Sequence, residues 1–384
     1  MHWFVILFSL MACATVVFYL LALIGAWDWS RQEQSQTFSP GVSILKPLKG
    51  ADPGMLESFR SHCQQKYAGE YEIIFGVNDA NDEAVSLVEQ LTSEFPERSI
   101  RLVICDEVLG TNRKVSNLVR MIKEARFGFV LVNDGDIRVP DDYLTKVMNC
   151  FAPEVAGTSN PVGMVTCLYR ADADGSIWSR LESLGISVEF ISGTLVSRWI
   201  ERGVNFGLGA TLCMKREALA AAGGFDLLVD HLADDYELAA RIIRAGYRVV
   251  LPSVVVVTHI QDYDFTGFWK HQLRWMRTIR SCRPAGYPGL LVMYGQFFAL
   301  LAYLFSGGAI VNLLFLVIVW VMQMVMYGVF HVQILGSKFR FSDLVLLPVR
   351  GLIAPILWFT GTFGDGIEWR GEVFRLDKGI LHKT

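Results

Sequence analysis

Apolar and polar positions divide this chain into two kinds of territory. Residues 3–26 (WFVILFSLMACATVVFYLLALIGA) carry no charge. As one helix they are long enough to cross a hydrocarbon core of roughly 30 Å. Only Met1-His2 precede them, without the basic start and small-residue cleavage site of a signal peptide, so a retained anchor is expected. Two further apolar runs, 290–306 and 307–330, are split by Ser306-Gly307-Gly308 and predict a helical hairpin through a bilayer. The run 343–363 is different, because Arg350 stands near its middle among Pro348, Gly351 and Pro355. A charged centre and a broken backbone are costly in lipid unless protein covers them. A re-entrant or interfacial segment fits that run as well as a crossing does.

Between the apolar runs, 40–285 reads as a globular domain. Strand-like stretches fall at 42–46, 71–77, 100–105, 128–133, 163–168 and 248–257. Helical periodicity falls between them, at 53–65, 82–94, 114–125, 141–151, 176–199 and 234–245. Alternation of this kind predicts an α/β fold, with a mostly parallel sheet covered on both faces. Such sheets bind ligands beyond the carboxyl ends of their strands. Asn78-Asp79 and Asn133-Asp134-Gly135-Asp136 follow two of these strands directly.

Charge and composition narrow the classes. A formal net charge of -3 gives no reason to expect nucleic acid as a partner. The seven cysteines are scattered, with no CxxC or Cys/His cluster, and read as buried thiols in a reducing compartment. No GxGxxG follows a strand and no GxxxxGK[ST] occurs, which weighs against a dinucleotide oxidoreductase and a P-loop enzyme.

Three acidic segments are candidates for chemistry. Asp134 and Asp136 flank Gly135 at the end of the apolar strand GFVLVN. Two carboxylates so placed suit Mg²⁺ or Mn²⁺, which also takes diphosphate oxygens. The bland alternative is an ordinary Asp-Gly turn. Asp79 could accept hydrogen bonds from a base or ribose, or serve a turn, while Asp82 reads as a helix cap. Asp234-Asp235 opens a helix near Gly207-Leu208-Gly209 and Gly223-Gly224. It reads equally as a helix-dipole partner and as a base presented to a hydroxyl. Last, 265–281 (FTGFWKHQLRWMRTIRS) interleaves aromatic residues with Lys270, Arg274, Arg277 and Arg280, as an interfacial amphipathic helix would. Arg274 could meet a diphosphate bidentately and Trp275 could face a sugar.

Taken in order, these parts resemble the lipid-directed glycosyltransferases of family 2 and family 21, most closely the ceramide glucosyltransferases. The likeness lies in VSILKPLKG (42–50), VNDAND (77–82), NRKVSNL (112–118), NDGDIRVPDDYL (133–144), LADDYELAARI (232–242), RW (274–275) and EWRGEVFRL (368–376). It covers nearly the whole chain. GGFDLLVDHLADDYELAARIIRAGYRVVL and KHQLRW look most like the bacterial, hopanoid-associated branch.

The resemblance implies a GT-A fold and inverting transfer from a UDP-sugar to a membrane lipid hydroxyl. The expected pair is UDP-N-acetylglucosamine and a hopanoid polyol, with UDP-glucose and ceramide as the alternative. It implies donor contacts from Asp79, Lys114, Asp134, Asp136, Asp234, Arg274 and Trp275, and metal binding by Asp134 and Asp136. Asp235 would be the general base, and His271 and Trp275 would face the acceptor. Two positions depart from the ceramide branch. His271 stands where Gln or Arg is usual, and the turn at 134–136 carries two Asp where one is usual.

The expected domains are an anchor (1–28), a cytosolic GT-A domain (29–264), an interfacial helix (265–285), a transmembrane hairpin (290–330) and a re-entrant or membrane segment with a basic tail (331–384). Lys270, Arg274, Arg277, Arg280 and Arg283 precede the hairpin and Lys338 and Arg340 follow it, with Arg370, Arg375, Lys378 and Lys383 beyond. Positive charge stays cytoplasmic, so the catalytic domain would face the cytosol of a bacterial inner membrane. A membrane-bound binding protein without activity is the reading of another class, and a processive polysaccharide synthase would need more membrane helices.

Overall fold

The computed structural model describes residues 2–32, 37–152, 160–173, 175–337, 340–369 and 371–383, so Lys338 and Arg370 lie outside the described residues. The chain forms two compact units. One comprises Arg31–Tyr169, Glu201–His259 and Gly379–Thr384, and the other Met1–Ser30, Arg170–Ile200 and Ile260–Lys378.

The first unit is built on a sheet. In chain order its strands are β1 (Val42–Pro47), β2 (Tyr71–Val77), β3 (Ser99–Ile104), β4 (Phe129–Val132) and β5 (Val162–Thr166). After β6 (Leu168–Asp172), where the chain leaves the unit, come β7 (Leu212–Lys215), β8 (Arg248–Val250) and β9 (Val255–His259). The seven-stranded sheet runs β3-β2-β1-β4-β7-β5-β8. β1, β2, β3 and β4 are mutually parallel, β5 and β8 are parallel, and β7 is antiparallel to β4 and β5. Apolar runs such as Ile73-Ile74-Phe75 and Val130-Leu131-Val132 are buried on both faces, which is why they lack alternation.

Helices α2 (Met55–Cys63), α3 (Ala84–Glu94) and α5 (Tyr143–Asn149) bring Phe59, Val88, Leu91, Tyr143 and Val147 into one core with Ile44, Phe75 and Leu131. Helix α4 (Arg113–Glu124) packs against β1 and β2, and Met121 comes so close to Gly76 that a Cβ there would lie 2.4 Å from Sδ. Helices α8 (Arg216–Ala221) and α9 (Asp234–Arg244) complete the cover. Because β1, β2 and β4 run the same way, the residues after them share one edge of the sheet. There Leu48 N donates to Gly76 O (2.7 Å) and Asn133 N to Leu45 O (3.2 Å).

The second unit carries the apolar helices. They are α1 (His2–Ser30), α6 (Ile177–Leu184), α7 (Ile191–Glu201), α10 (Phe265–Cys282), α11 (Gly295–Phe305), α12 (Ile310–Val329) and α13 (Phe341–Gly361), with a hairpin of β10 (Gly366–Trp369) and β11 (Glu372–Asp377). By length and composition three helical stretches can cross a membrane among the described residues: His2–Ser30, Ile310–Ile334 and Phe341–Gly361. Tyr287–Met293 and Gly295–Phe305 would pass the same test only as a pair bent by 68°. Outward-facing Trp3, Leu10, Val311, Leu314 and Val345 give these helices an apolar exterior suited to lipid. Small residues let the helices close on one another. Gly295 faces Thr15, and Gly25 faces the Leu195 carbonyl.

Arg350 sits mid-way along α13 and is 3% exposed. Its Nε donates to Glu189 Oε1 (2.8 Å), Nη2 to Glu189 Oε2 (2.6 Å) and Nη1 to Gln272 Oε1 (2.8 Å). The bidentate pair removes much of the cost of a charge within an apolar helix. Glu189 lies in a π-helical turn (Gly185–Phe190) linking α6 and α7, and a Cβ on Gly185 would fall 2.7 Å from the guanidinium carbon.

Candidate active site

At the end of β4, Asn133 is fully buried and fixes the turn that follows. Its Nδ2 donates to Ala210 O (2.6 Å) and to Thr211 Oγ1 (3.2 Å), and its Oδ1 lies 3.2 Å from His62 Nε2. Burial and the charge of Lys46 push the His62 imidazolium down to about 3, so the ring is neutral. Asp134 and Asp136 emerge from this anchored end. The chain between them is constrained by packing: Gly135 has no positive φ, but a Cβ on it would lie 3.0 Å from Leu48 Cδ2 and 3.1 Å from Met55 Cε. Gly135 and Asp136 form a turn, with Ile137 N donating to Asp134 O (3.3 Å).

Asp136 is held from two sides. Ser58 Oγ donates to its carbonyl (2.8 Å), and Thr258 Oγ1 donates to its Oδ2. Thr258 is delivered by β9, where Val257 and Arg138 exchange two backbone bonds of 2.8 Å. Burial, then the nearby Asp134, hold the Asp136 carboxyl above its usual range. A cation at this place would reverse that shift.

Lys114 connects the turn to the second acidic pair. Its Nζ lies 2.9 Å from Asp134 Oδ1 and 3.5 Å from Asp234 Oδ2, with the side chain 11% exposed. Burial works against its charge, yet the Asp134 and Asp234 carboxylates outweigh it and hold the ammonium above its ordinary value. Lys114 is the second residue of α4, whose N-terminus is capped by Asn112 Oδ1 accepting from Val115 N (3.2 Å).

Asp235 follows Asp234 in the first turn of α9 and accepts from the Tyr236 amide through Oδ1 (2.7 Å). Burial, then the Asp234 charge, raise its carboxyl to about 6. That value leaves it largely ionised at neutral pH and more basic than an exposed aspartate. The loop Gly207-Leu208-Gly209 lies against it. A Cβ on Gly207 would come within 2.4 Å of the Asp235 carbonyl, and one on Gly209 within 3.2 Å of Oδ2.

Asp79, beyond β2, is exposed. Its Oδ1 accepts from Asn81 N (2.9 Å) and Asn81 Nδ2 (3.0 Å), a local turn. Asp82 accepts from Ala84 N at the start of α3 and from Gly50 N, each at 2.9 Å. It is the structural member of the pair.

Sequence reasoning overlooked Lys46. It is fully buried in β1 and donates to Asp134 O (2.8 Å). Burial dominates its titration and lowers the ammonium to about 7, against the pull of Asp136 and Asp134. A lysine within the apolar run VSILK was the available signal, since buried lysine is rare without a partner. Thr258 and Asn112 carried no comparable signal.

The residues expected to face the acceptor lie on α10, in the other unit. His271 Nδ1 is 2.8 Å from Glu182 Oε1, and its ring stacks on Tyr263 (centroids 5.6 Å). Trp275 packs edge-on against Phe190 (5.8 Å). Arg274 is half-buried on the same helix.

Among the described residues no three His, Cys, Asp or Glu side chains form a metal cage.

The model for Glycosyl transferase family 21 matches residues 5–381, nearly the whole chain. The chain belongs to that family. It is a glycosyltransferase, 25% identical over 362 residues to ceramide glucosyltransferase 3 of Caenorhabditis elegans, covering 88% of this chain and 73% of the relative. Ceramide glucosyltransferase 1 of the same organism is 23% identical over 401 residues, covering 98% and 82%. Among solved structures, the mannosyltransferase PcManGT from Pyrobaculum calidifontis, in complex with GDP-Man and Mn2+, superposes with a TM-score of 0.51. It is 17% identical, over 92% of this chain and 97% of that one, a likeness of fold. The sheet of this transferase is thus a GT-A sheet, joined in one chain to membrane-type helices.

Proposed function

We propose that this transferase moves a sugar from a UDP-sugar to a hydroxyl of a membrane lipid with inversion at the anomeric carbon. One observation carries the reading: the Lys114 ammonium lies within 3.5 Å of both Asp134 and Asp234, with Asp235 next in the chain. A cation suited to a diphosphate and a raised carboxylate suited to a hydroxyl proton thus meet at the carboxyl edge of the sheet. The long apolar helices of the same chain favour an acceptor drawn from the bilayer.

In this reading Asp79, exposed beyond β2, holds the uracil or ribose. Lys114 faces the diphosphate, freed in part from Asp134 as donor binds, and Asp234 keeps the ammonium in place. Asp134 and Asp136 hold a divalent cation, Mg²⁺ or Mn²⁺, which when bound neutralises diphosphate charge. Asp235 takes the proton from the lipid hydroxyl. That oxygen forms the new bond to the anomeric carbon as the bond to the UDP oxygen breaks, and UDP leaves with the electron pair. Arg274 and Trp275 contribute to donor and acceptor binding from α10. His271, its ring set between Glu182 and Tyr263, faces the acceptor. Charge on the loops beside the membrane helices favours a cytosolic catalytic domain.

Two acceptors fit this chemistry. The relatives named ceramide glucosyltransferases favour UDP-glucose and ceramide. The segment from Gly223 to Leu251 favours UDP-N-acetylglucosamine and a hopanoid polyol. Purified protein offered each donor with each lipid decides between them by product mass. If no pairing gives product and neither donor is hydrolysed, the reading of a UDP-sugar donor and a lipid acceptor fails.

A further inference from the structure

The start of α4, which carries Lys114, is tied to a segment more than a hundred residues away. Thr111 N and Oγ1 both donate to Asp230 Oδ1, at 2.9 and 3.0 Å. Asn112 N donates to Val229 O (2.7 Å), and Asn112 Nδ2 donates to His231 O (2.8 Å). The approach is close enough that a Cβ on Gly110 would lie 2.5 Å from the Val229 carbonyl. A third strand of chain seals this clasp. In β12 (Ile380–Lys383), Leu381 N donates to Asp230 O (2.8 Å), and Leu232 N donates to Gly379 O (2.9 Å) just before it. His231 and Ile380 form an antiparallel bridge, and Leu381 O lies 3.4 Å from Thr111 Oγ1.

Asn112 Nδ2 lies 3.5 Å from Asp234 Oδ1, whereas Thr111, Asp230 and β12 are linked to the carboxylates through the chain. Yet Thr111 stands three residues before Lys114, and Leu232 two before Asp234. The clasp sets the distance between the first turns of α4 and α9, and so between the ammonium and the carboxylates it faces. Both partners are loops, which open locally at low cost unless tied down. A short strand added to a loop supplies main-chain hydrogen bonds that tie it.

We propose that residues 379–383, with Thr111 and Asp230, are a positioning element for donor binding, holding Lys114 in register with Asp234 and Asp235. The inference rests on the reading of Lys114 as the diphosphate cation. Displacing a charged group by about 1 Å costs up to about 100-fold in well-oriented sites. Loss of the strap, which loosens rather than removes Lys114, is therefore expected to weaken nucleotide binding about tenfold.

Calorimetry of the full chain in detergent, with UDP as probe and Mg²⁺ present, tests this. Thr111→Val keeps the shape but removes the hydroxyl, Thr111→Ser restores it, and a third variant lacks 379–384. The expected result is about tenfold weaker UDP binding for Thr111→Val and for the shortened chain, and parental binding for Thr111→Ser, with Thr111→Val melting cooperatively near the parental temperature. Parental UDP affinity in both altered proteins overturns the inference. So does weaker binding in Thr111→Val that is accompanied by loss of cooperative melting, which makes the clasp merely structural. Lys114→Met is measured alongside. If it binds UDP as tightly as the parent, the diphosphate reading of Lys114 fails, whatever the strap does.

Discussion

The Lys114 ammonium lies 2.9 Å from Asp134 Oδ1, although the two residues are separated by a helix and a strand. Before any ligand arrives, the turn after β4 thus has a cation on it. A donor diphosphate competes with Asp134 for that cation. Lys114→Met keeps most of the side-chain volume and removes the charge. UDP affinity is expected to fall at least tenfold, about 1.4 kcal/mol, measured by calorimetry.

Asp235 bears on the pH dependence of turnover. Its carboxyl is raised to about 6 by burial and Asp234. A base works only when deprotonated, so kcat/KM falls as pH drops through about 6 and is level above it on this account. The sign for stability is opposite to that of a salt-bridged aspartate. Burying the ionised form costs free energy, so this group's penalty is absent at low pH and grows as pH rises from the ordinary aspartate range through about 6. A pH–rate profile at saturating acceptor checks the limb, and an acid limb in the ordinary aspartate range near 4 would exclude Asp235 as its source.

Gly207 is a packing constraint on the base. Its missing Cβ would stand 2.4 Å from the Asp235 carbonyl. Gly207→Ala therefore has to displace the first turn of α9. Turnover is expected to fall by about tenfold or more as the base moves, and UDP binding to weaken with it, because Asp234 shares that turn and faces Lys114. Steady-state kinetics beside calorimetry separates the two.

In the helical unit, Arg350 and Glu189 form a bidentate pair that is almost wholly buried. Removing one partner strands the other charge. Glu189→Gln is expected to destabilise the fold by about 3 to 5 kcal/mol, and the double change Arg350→Met with Glu189→Leu by much less. Thermal melts in detergent distinguish them. Equal losses for the single and double variants would mean that packing, and not the stranded charge, sets the cost.

Much of this architecture is legible along the chain. The strands 42–46, 71–77 and 128–133 announce themselves as short β-branched and apolar runs, and the acidic residues stand directly after two of them. β7 was not anticipated. Leu212–Lys215 is four residues long, follows a glycine-rich loop and has no period of its own, and it becomes a strand only by pairing with β4 and β5. The segment 176–199 reads as one helix, and the structure interrupts it with the π turn that presents Glu189 to Arg350. Its Glu189 meets a partner 161 residues away, a contact with no local mark in the sequence. The same holds at the site. Asp134 and Asp136 stand out by position, whereas Lys46, Thr258 and the clasp of Thr111 on Asp230 join them only through the folded chain.

The most direct measurement follows lipid product and UDP release together, in the parent protein and in Asp235→Asn. Purified protein in detergent is given UDP-glucose or UDP-N-acetylglucosamine with extracted membrane lipid, and products are read by mass spectrometry. The expected result is one hexose or N-acetylhexosamine added to a lipid by the parent, with stoichiometric UDP. Asp235→Asn is expected to turn over roughly 100-fold more slowly while still binding UDP. Near-parental turnover by Asp235→Asn would contradict the assignment of the base, and UDP release without a glycosylated lipid would contradict the lipid acceptor.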